Sequence, residues 1–188
     1  MNLIIESLEA LIQDGLTKEE FHTLVENFKC DFNEDVEYFL LEKAYSSCVA
    51  SQSRTFLVRD EEKLNEILGY FTLSHKTISF NSEVSANERK KLTGSKQSDG
   101  LSGILIAQLG KNTNASVNIK GMLLLNEAEN LCNQIFETIA LRVVILEHDD
   151  VEELHRFYGE NHYKILDKAS DKNNHLFLRY KRLDRNLN

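Results

Sequence analysis

The stretch Ser102-Gly-Ile-Leu-Ile-Ala-Gln-Leu-Gly-Lys-Asn-Thr-Asn-Ala-Ser-Val-Asn-Ile-Lys-Gly-Met-Leu-Leu-Leu-Asn-Glu-Ala-Glu-Asn-Leu-Cys-Asn-Gln-Ile-Phe-Glu137 decides the fold. Its first part, Gly103 to Leu109, is a strongly apolar run of strand length with Gln108 as its one polar side chain. Gly110 to Gly121 follows as a polar loop of small residues that carries Lys111 and Lys120. From 122 to 139, Leu124, Leu125, Ala128, Leu131, Cys132, Ile135 and Ile139 share one stripe, which predicts an amphipathic helix. Asn118 suits the cap of that helix, and Gly121 lets backbone approach a ligand closely. Strand, loop and helix start in this order place free backbone N–H groups beside a strand end, where an anionic phosphate can bind.

Working outward, Arg142 to Glu147 predicts a second strand, and Asp149 to Gly159 a short helix ending in Phe157-Tyr158. Tyr163–Leu166 and His175–Tyr180 predict a final strand pair. Upstream, 34–50 reads as a helix with Val36, Phe39, Leu40, Ala44 and Cys48 on one side. Strands are expected at 55–59 and 68–74, the second extended by 77–80, with the polar Asp60–Glu66 as a hairpin connection. Residues 2–29 predict two short helices. Leu3, Ile4, Leu8, Leu11 and Ile12 keep a helical period as far as Gly15, and Thr17-x-x-Glu20 is a capping box before Phe21, Leu24, Val25 and Phe28. Asn81 to Ser102 is polar and predicts a long loop containing Arg89-Lys-Lys91, either functional or a solvated connection.

In this order the elements resemble the GNAT superfamily, the N-acyltransferases that use acyl-CoA. Phe157-Tyr-Gly-Glu-Asn-His-Tyr163 is similar to that family's Phe-Tyr-x-x-x-Gly-Phe signature. Cys30 to Leu40, Ser53 to Arg59 and Ile67 to Leu73 are similar to the first helix and strands of its toxin-like acetyltransferase branch, some members of which acetylate the amino group of aminoacyl-tRNA. The resemblance covers residues 28–183 and implies an α/β GNAT fold: a mixed, mostly antiparallel sheet with splayed central strands and helices on both faces. Residues 1–27 would then be an extra N-terminal helical pair and 184–188 a tail. The implied reaction is acetyl transfer from acetyl-CoA to a primary amine of a small molecule, a protein or an aminoacyl-tRNA. A GNAT-like module that binds a partner or acyl-CoA without turnover is the alternative.

The same resemblance implies roles for particular residues. The family's pyrophosphate loop, Gln/Arg-x-x-Gly-x-Gly/Ala, matches Ser116-Val-Asn-Ile-Lys-Gly121, so that amides around Asn118, Lys120, Gly121 and Met122 would hold the cofactor. Ser116 replaces the Gln or Arg and Ile119 the middle glycine, while Lys111 or Lys120 can supply charge. On the preceding strand, Ile106, Ala107, Gln108 and Leu109 match positions whose amides pair with the pantetheine arm and polarise the thioester carbonyl. Tyr158 matches the residue that protonates the departing thiolate, and a phenol with pKa about 10 does so without ionising at pH 7. An aromatic anchoring a short helix is the alternative. Glu147 and His148 can take the acceptor's proton, directly or through water, and a merely solvated histidine is the alternative for His148 and for His75. Val151 stands where the family often has an Asn, and His162 replaces the glycine before the final aromatic.

Composition bounds these expectations. A chain of 188 residues suits one domain with a sizeable core. No apolar run approaches the roughly 18 residues of a membrane helix, and Met1-Asn-Leu-Ile-Ile-Glu6 lacks the basic start of a signal peptide, so a soluble cytoplasmic protein is expected, with no membrane partner. Cys30, Cys48 and Cys132 are an odd number at unrelated spacings, which argues against a disulfide framework or a zinc cluster; no metal is expected. The net charge is -8, and residues 1–50, with eleven acidic and three basic residues, carry all of it. Such an end reads as a solvated face or a contact surface and weighs against wrapping nucleic acid, leaving tRNA only as an acceptor. The N-terminal pair is therefore either packed on the domain's own sheet edge or a face for a homodimer or an antitoxin-like protein partner.

Overall fold

The computed structural model describes residues 2–168 and 176–184. In chain order the elements are β1 (Leu3–Ser7), α1 (Leu8–Gln13), α2 (Lys18–Val25), α3 (Glu34–Tyr38), α4 (Ala44–Val49), β2 (Arg54–Asp60), β3 (Lys63–Ser79), α5 (Ala86–Thr93), β4 (Gly100–Lys111), α6 (Gly121–Ile139), β5 (Val143–Asp149), α7 (Glu152–Glu160), β6 (Lys164–Lys168) and β7 (Leu176–Arg182). The seven strands form one open, mostly antiparallel sheet in the order β1-β2-β3-β4-β5-β7-β6. His175, expected to begin the last strand, and 185–188 of the expected tail lie outside the described residues. No helix among the described residues is long and apolar enough to cross a membrane. The chain divides into two compact units, Met1–Ser74 with Ile106–Asn130, and His75–Leu105 with Leu131–Asn188.

In the first unit the two expected N-terminal helices form as α1 and α2, but the expected start of the first is corrected. Residues 3–7 are a strand, antiparallel to β2 with Leu3 opposite Asp60 and Ser7 opposite Phe56. The β-branched Ile4-Ile5 favours extended backbone, and Ser7 starts the helix only afterwards, its hydroxyl accepting from the Ala10 amide at 3.4 Å. The Thr17 capping box forms as read: Thr17 Oγ1 accepts from Glu20 N, and the Glu20 carboxylate accepts from Thr17 N at 2.8 Å. Leu8, Phe21 and Val25 are buried in one cluster with Phe28, Leu40, Ala44, Cys48, Leu57 and Tyr70. Residues 2–27 thus share a core with the segments that follow.

The helix expected over 34–50 is interrupted by a π-helical turn at Phe39–Lys43. The fully buried Tyr70 places its hydroxyl 2.5 Å from the Val36 carbonyl, occupying an acceptor within the helical ladder just ahead of the widened turn.

In the second unit, Leu92, Leu101, Val143, Ile145, Leu178 and Tyr180 make the core, and β7 pairs antiparallel with both β5 and β6. Here the expected loop at 81–102 is corrected: it contains α5. Ser85 caps it by accepting from Glu88 N at 3.2 Å, Leu92 is its buried anchor, and Gly94 ends it at φ 88°, a left-handed conformation that glycine adopts without strain. Arg89 of the basic cluster is a strut, donating to the carbonyls of Asn81, Val84 and Ser98 at 2.8–3.1 Å. Cys30, Cys48 and Cys132 are all buried free thiols.

Candidate functional site

In the first unit β4 ends against the loop and the start of α6. Gly110 lets β4 pass closely, since a Cβ there would stand 2.5 Å from Val36 Cγ1 and 3.0 Å from Tyr70 Cε1. The next turn is organised by Asn112, only 5% exposed. Its Oδ1 accepts from Lys29 N and Asn114 N, both at 3.0 Å, its Nδ2 donates to Ile67 O at 2.7 Å, and its own amide donates to Leu68 O at 2.8 Å. Thr113 N donates to Lys29 O at 2.8 Å, and Ser116 N donates to the Glu66 carboxylate at 2.6 Å. The first half of the loop therefore spends its amides within the protein. From Asn118 to Met122, by contrast, no amide finds an acceptor among the described residues. Ile119, 3% exposed, plugs the loop into the core.

α6 begins at Gly121, and Leu123 N bonds Lys120 O at 3.0 Å. This corrects the cap: Lys120 holds that position, and Asn118, two residues earlier, accepts from Lys111 Nζ at 3.1 Å instead. A 19-residue helix thus opens with free N–H groups, the partial positive charge of its dipole, and Lys120 and Met122 exposed beside them. Ile106 is buried in β4, and Ala107, Gln108 and Leu109 are half-buried.

In the second unit Tyr158 lies on the last turns of α7, buried, its ring 5.2 Å from that of His148 and 5.9 Å from that of Tyr163. Burial pushes its phenol up to about 12, opposed by the positive charge of Arg179. The phenol is thus fully protonated at pH 7, and a weaker acid than its unburied value implies.

The two base candidates differ. Glu147 is half-buried and takes an ion pair from Lys76 Nζ at 2.6 Å. His148 is buried rather than solvated, with both ring nitrogens engaged: Arg179 Nε donates to Nε2 at 2.8 Å, so Nδ1 carries the hydrogen donated to Asp149 O at 2.7 Å. Burial, with the Arg179 guanidinium beside it, holds the imidazole below its ordinary value, so it stays neutral at pH 7.

Helix α7 starts at Val151 without a side-chain cap and closes in a paired-bond terminus: Tyr163 N donates to Tyr158 O at 2.9 Å and His162 N to Gly159 O at 3.0 Å. His162 takes the left-handed position at φ 68°, where glycine belongs. His162→Gly is expected to stabilise the fold by about 1 kcal/mol, raising Tm by about 2–4 °C in a thermal melt.

Neither a known protein family nor a curated protein matches the sequence. Solved structures do. AtaT complexed with acetyl-methionyl-tRNAfMet is 18% identical, with a TM-score of 0.69 over 94% of this chain and 94% of its own. A bacterial toxin is 13% identical, with a TM-score of 0.72 over 97% and 91%. A tyrosine-to-phenylalanine mutant of KacT is 15% identical, with a TM-score of 0.68 over 95% and 94%. The chain shares the fold of these solved structures, the GNAT fold that its sequence resembles.

Among the residues anticipated for this GNAT fold, the first unit brings β4 positions 106–109 and loop positions 118–122 onto consecutive elements. The second unit brings His148 against Tyr158 and gives Glu147 a lysine partner. Sequence reasoning missed Asn112, Arg179 and His155. For Arg179 a signal existed, a charged residue inside the apolar run 176–180, and His155 stands one helical turn before Tyr158.

Proposed function

We propose that this chain is an acetyl-CoA-dependent N-acetyltransferase. The observation that carries the reading is the row of amides from Asn118 to Met122 at the start of α6 that find no acceptor among the described residues, which suits the pyrophosphate of a CoA ester. Bound acetyl-CoA supplies the activated thioester. The chain's own residues do the rest: backbone of Ile106–Leu109 aligns the pantetheine arm, Lys120 adds charge, and the buried Tyr158 hydroxyl delivers a proton to the departing sulfur. Glu147 has a carboxylate available for the acceptor's proton, whereas His148 has no free lone pair in this arrangement. Calorimetric titration is expected to give micromolar or tighter binding of CoA, and no binding at millimolar CoA would remove the reading.

For the acceptor, one surface in the second unit favours a polyanion. Lys91, His162, Lys164, Lys181 and Arg182 line a single groove with Leu92, Tyr180 and Asp184. Cations gathered there suit a phosphate backbone and support aminoacyl-tRNA over a small amine, in line with the acetylated tRNA in the AtaT complex. AtaT has also been solved with its antitoxin AtaR, and the acidic first fifty residues here would suit a basic protein partner. A binding module without turnover is favoured by one contact, the Glu66 carboxylate on Ser116 N and Oγ, which places an internal anion at the first position of the loop. CoA binding without acetyl transfer to any amine would select it.

A further inference from the structure

Arg179 on β7 is 5% exposed, and among the described residues no carboxylate pairs with it. Among the described residues its charge is met by imidazoles and carbonyls. Nε donates to His148 Nε2 at 2.8 Å, Nη1 to Tyr163 O at 2.9 Å, and Nη2 to His155 Nδ1 at 2.9 Å and His155 O at 3.4 Å. His155 Nε2 in turn donates to Asp150 Oδ1 at 2.8 Å. A buried cation without a counter-charge costs folding free energy, which points to a task other than stability. The planar fork joins β7 to β5 through His148, to α7 through His155, and to the turn leaving α7 through Tyr163. Tyr158 lies against that frame, its ring 5.2 Å from that of His148 and 5.9 Å from that of Tyr163.

We propose that Arg179 is a positioning residue for Tyr158: by tying His155 of α7 and the turn at Tyr163 to β7 it fixes the segment between them that carries the phenol, and it places a positive charge on the same frame. The proposal rests on the acyl-transfer reading above. In that reaction the Tyr158 O–H bond breaks, the proton passes to the departing sulfur, and a phenolate is left. The proton lost by the acceptor nitrogen then restores the phenol. A fixed guanidinium favours the phenolate without itself giving up a proton.

Because a guanidinium only donates, the frame requires both imidazoles to be neutral. The titratable and charged groups facing His148 are Arg179 on β7, His155 and Tyr158 on α7, and Asp149 beside it on β5. A proton added at Nε2 would face Arg179 directly. With His148 held below its ordinary value of 6.5 in the folded state, the unfolded chain binds more protons in that window, so stability falls as pH drops below 6.5.

The test uses Arg179→Gln and Arg179→Lys in acetyl-transfer kinetics, with urea unfolding in parallel. Arg179→Gln is expected to lower kcat by about 10- to 100-fold while KM for acetyl-CoA stays within about two-fold. Arg179→Lys, which restores the charge without the fork, is expected to recover part of the loss. Unchanged kcat in Arg179→Gln, or kcat and KM worsening together with no recovery by lysine, would overturn the proposal. Should Arg179→Gln not fold, His148→Gln decides: its amide oxygen can accept from Arg179 Nε but does not titrate, so the fall in urea midpoint below pH 6.5 should shrink. An unaltered fall would overturn the frame. A wild-type protein that binds CoA but transfers nothing would overturn the acyl-transfer reading and the role of Arg179 in it, while the urea series still decides whether the frame exists.

Discussion

Tyr158→Phe is expected to lower kcat for acetyl transfer by about 10- to 1,000-fold with little change in affinity for acetyl-CoA. The substitution keeps the ring contacts with His148, Phe157 and Tyr163 and removes only the hydroxyl. Among the described residues that hydroxyl makes no hydrogen bond, so its loss leaves no partner stranded and the fold should hold. A group that serves only packing would then be silent. The CoA-binding amides proposed here lie at 118–122, so affinity and turnover should separate cleanly in steady-state kinetics. Wild-type kcat in the variant would return Tyr158 to a packing role. Burial pushes the phenol up to about 12, so the hydroxyl stays protonated at neutral pH and is present as an acid when the thiolate departs.

Asn112→Ala is expected to destabilise the protein by about 3 kcal/mol, a large share of the roughly 5–15 kcal/mol that holds a domain folded. Truncation orphans Lys29 N, Asn114 N and Ile67 O, three backbone groups whose partner is one buried amide side chain. Urea unfolding measures the loss. The same change should loosen the turn between β4 and the 118–122 amides, so CoA affinity should fall along with stability. Asn112→Asp, which keeps the acceptor and loses the donor to Ile67, should fall between the two. A variant within about 0.5 kcal/mol of wild type would show that the loop holds itself without Asn112.

Much of the GNAT fold was legible because its elements announce themselves locally. The apolar run at 103–109 with the stripe at 124–139, and the Thr17 capping box, needed no knowledge of neighbours. β1 was misread because Leu3, Ile4, Leu8, Leu11 and Ile12 fit a helical period across a boundary set by a single serine. α5 was missed although Ser85, Glu88 and Gly94 are start and stop signals, because only Leu92 supplies an apolar anchor and polarity dominated the reading. Of the candidate site, the strand, loop and helix order at 103–139 and the placement of Tyr158 on a short helix were legible. Arg179 and Asn112 were not, because their meaning lies in partners far along the chain: His148 stands 31 residues from Arg179, and Lys29 stands 83 from Asn112. No local pattern encodes such a meeting.

The three buried cysteines shape how this chemistry can be watched. Burial raises the Cys30 and Cys48 thiols above their ordinary value, so in the native protein little thiolate is present to react with a disulfide dye. Each turnover of acetyl-CoA would liberate one fast-reacting small thiol against a quiet background, allowing a continuous colorimetric readout of acetyl transfer. Unfolding would unmask the protein's own sulfhydryls, so the same dye, added without substrate, becomes a clock for how often the native state opens.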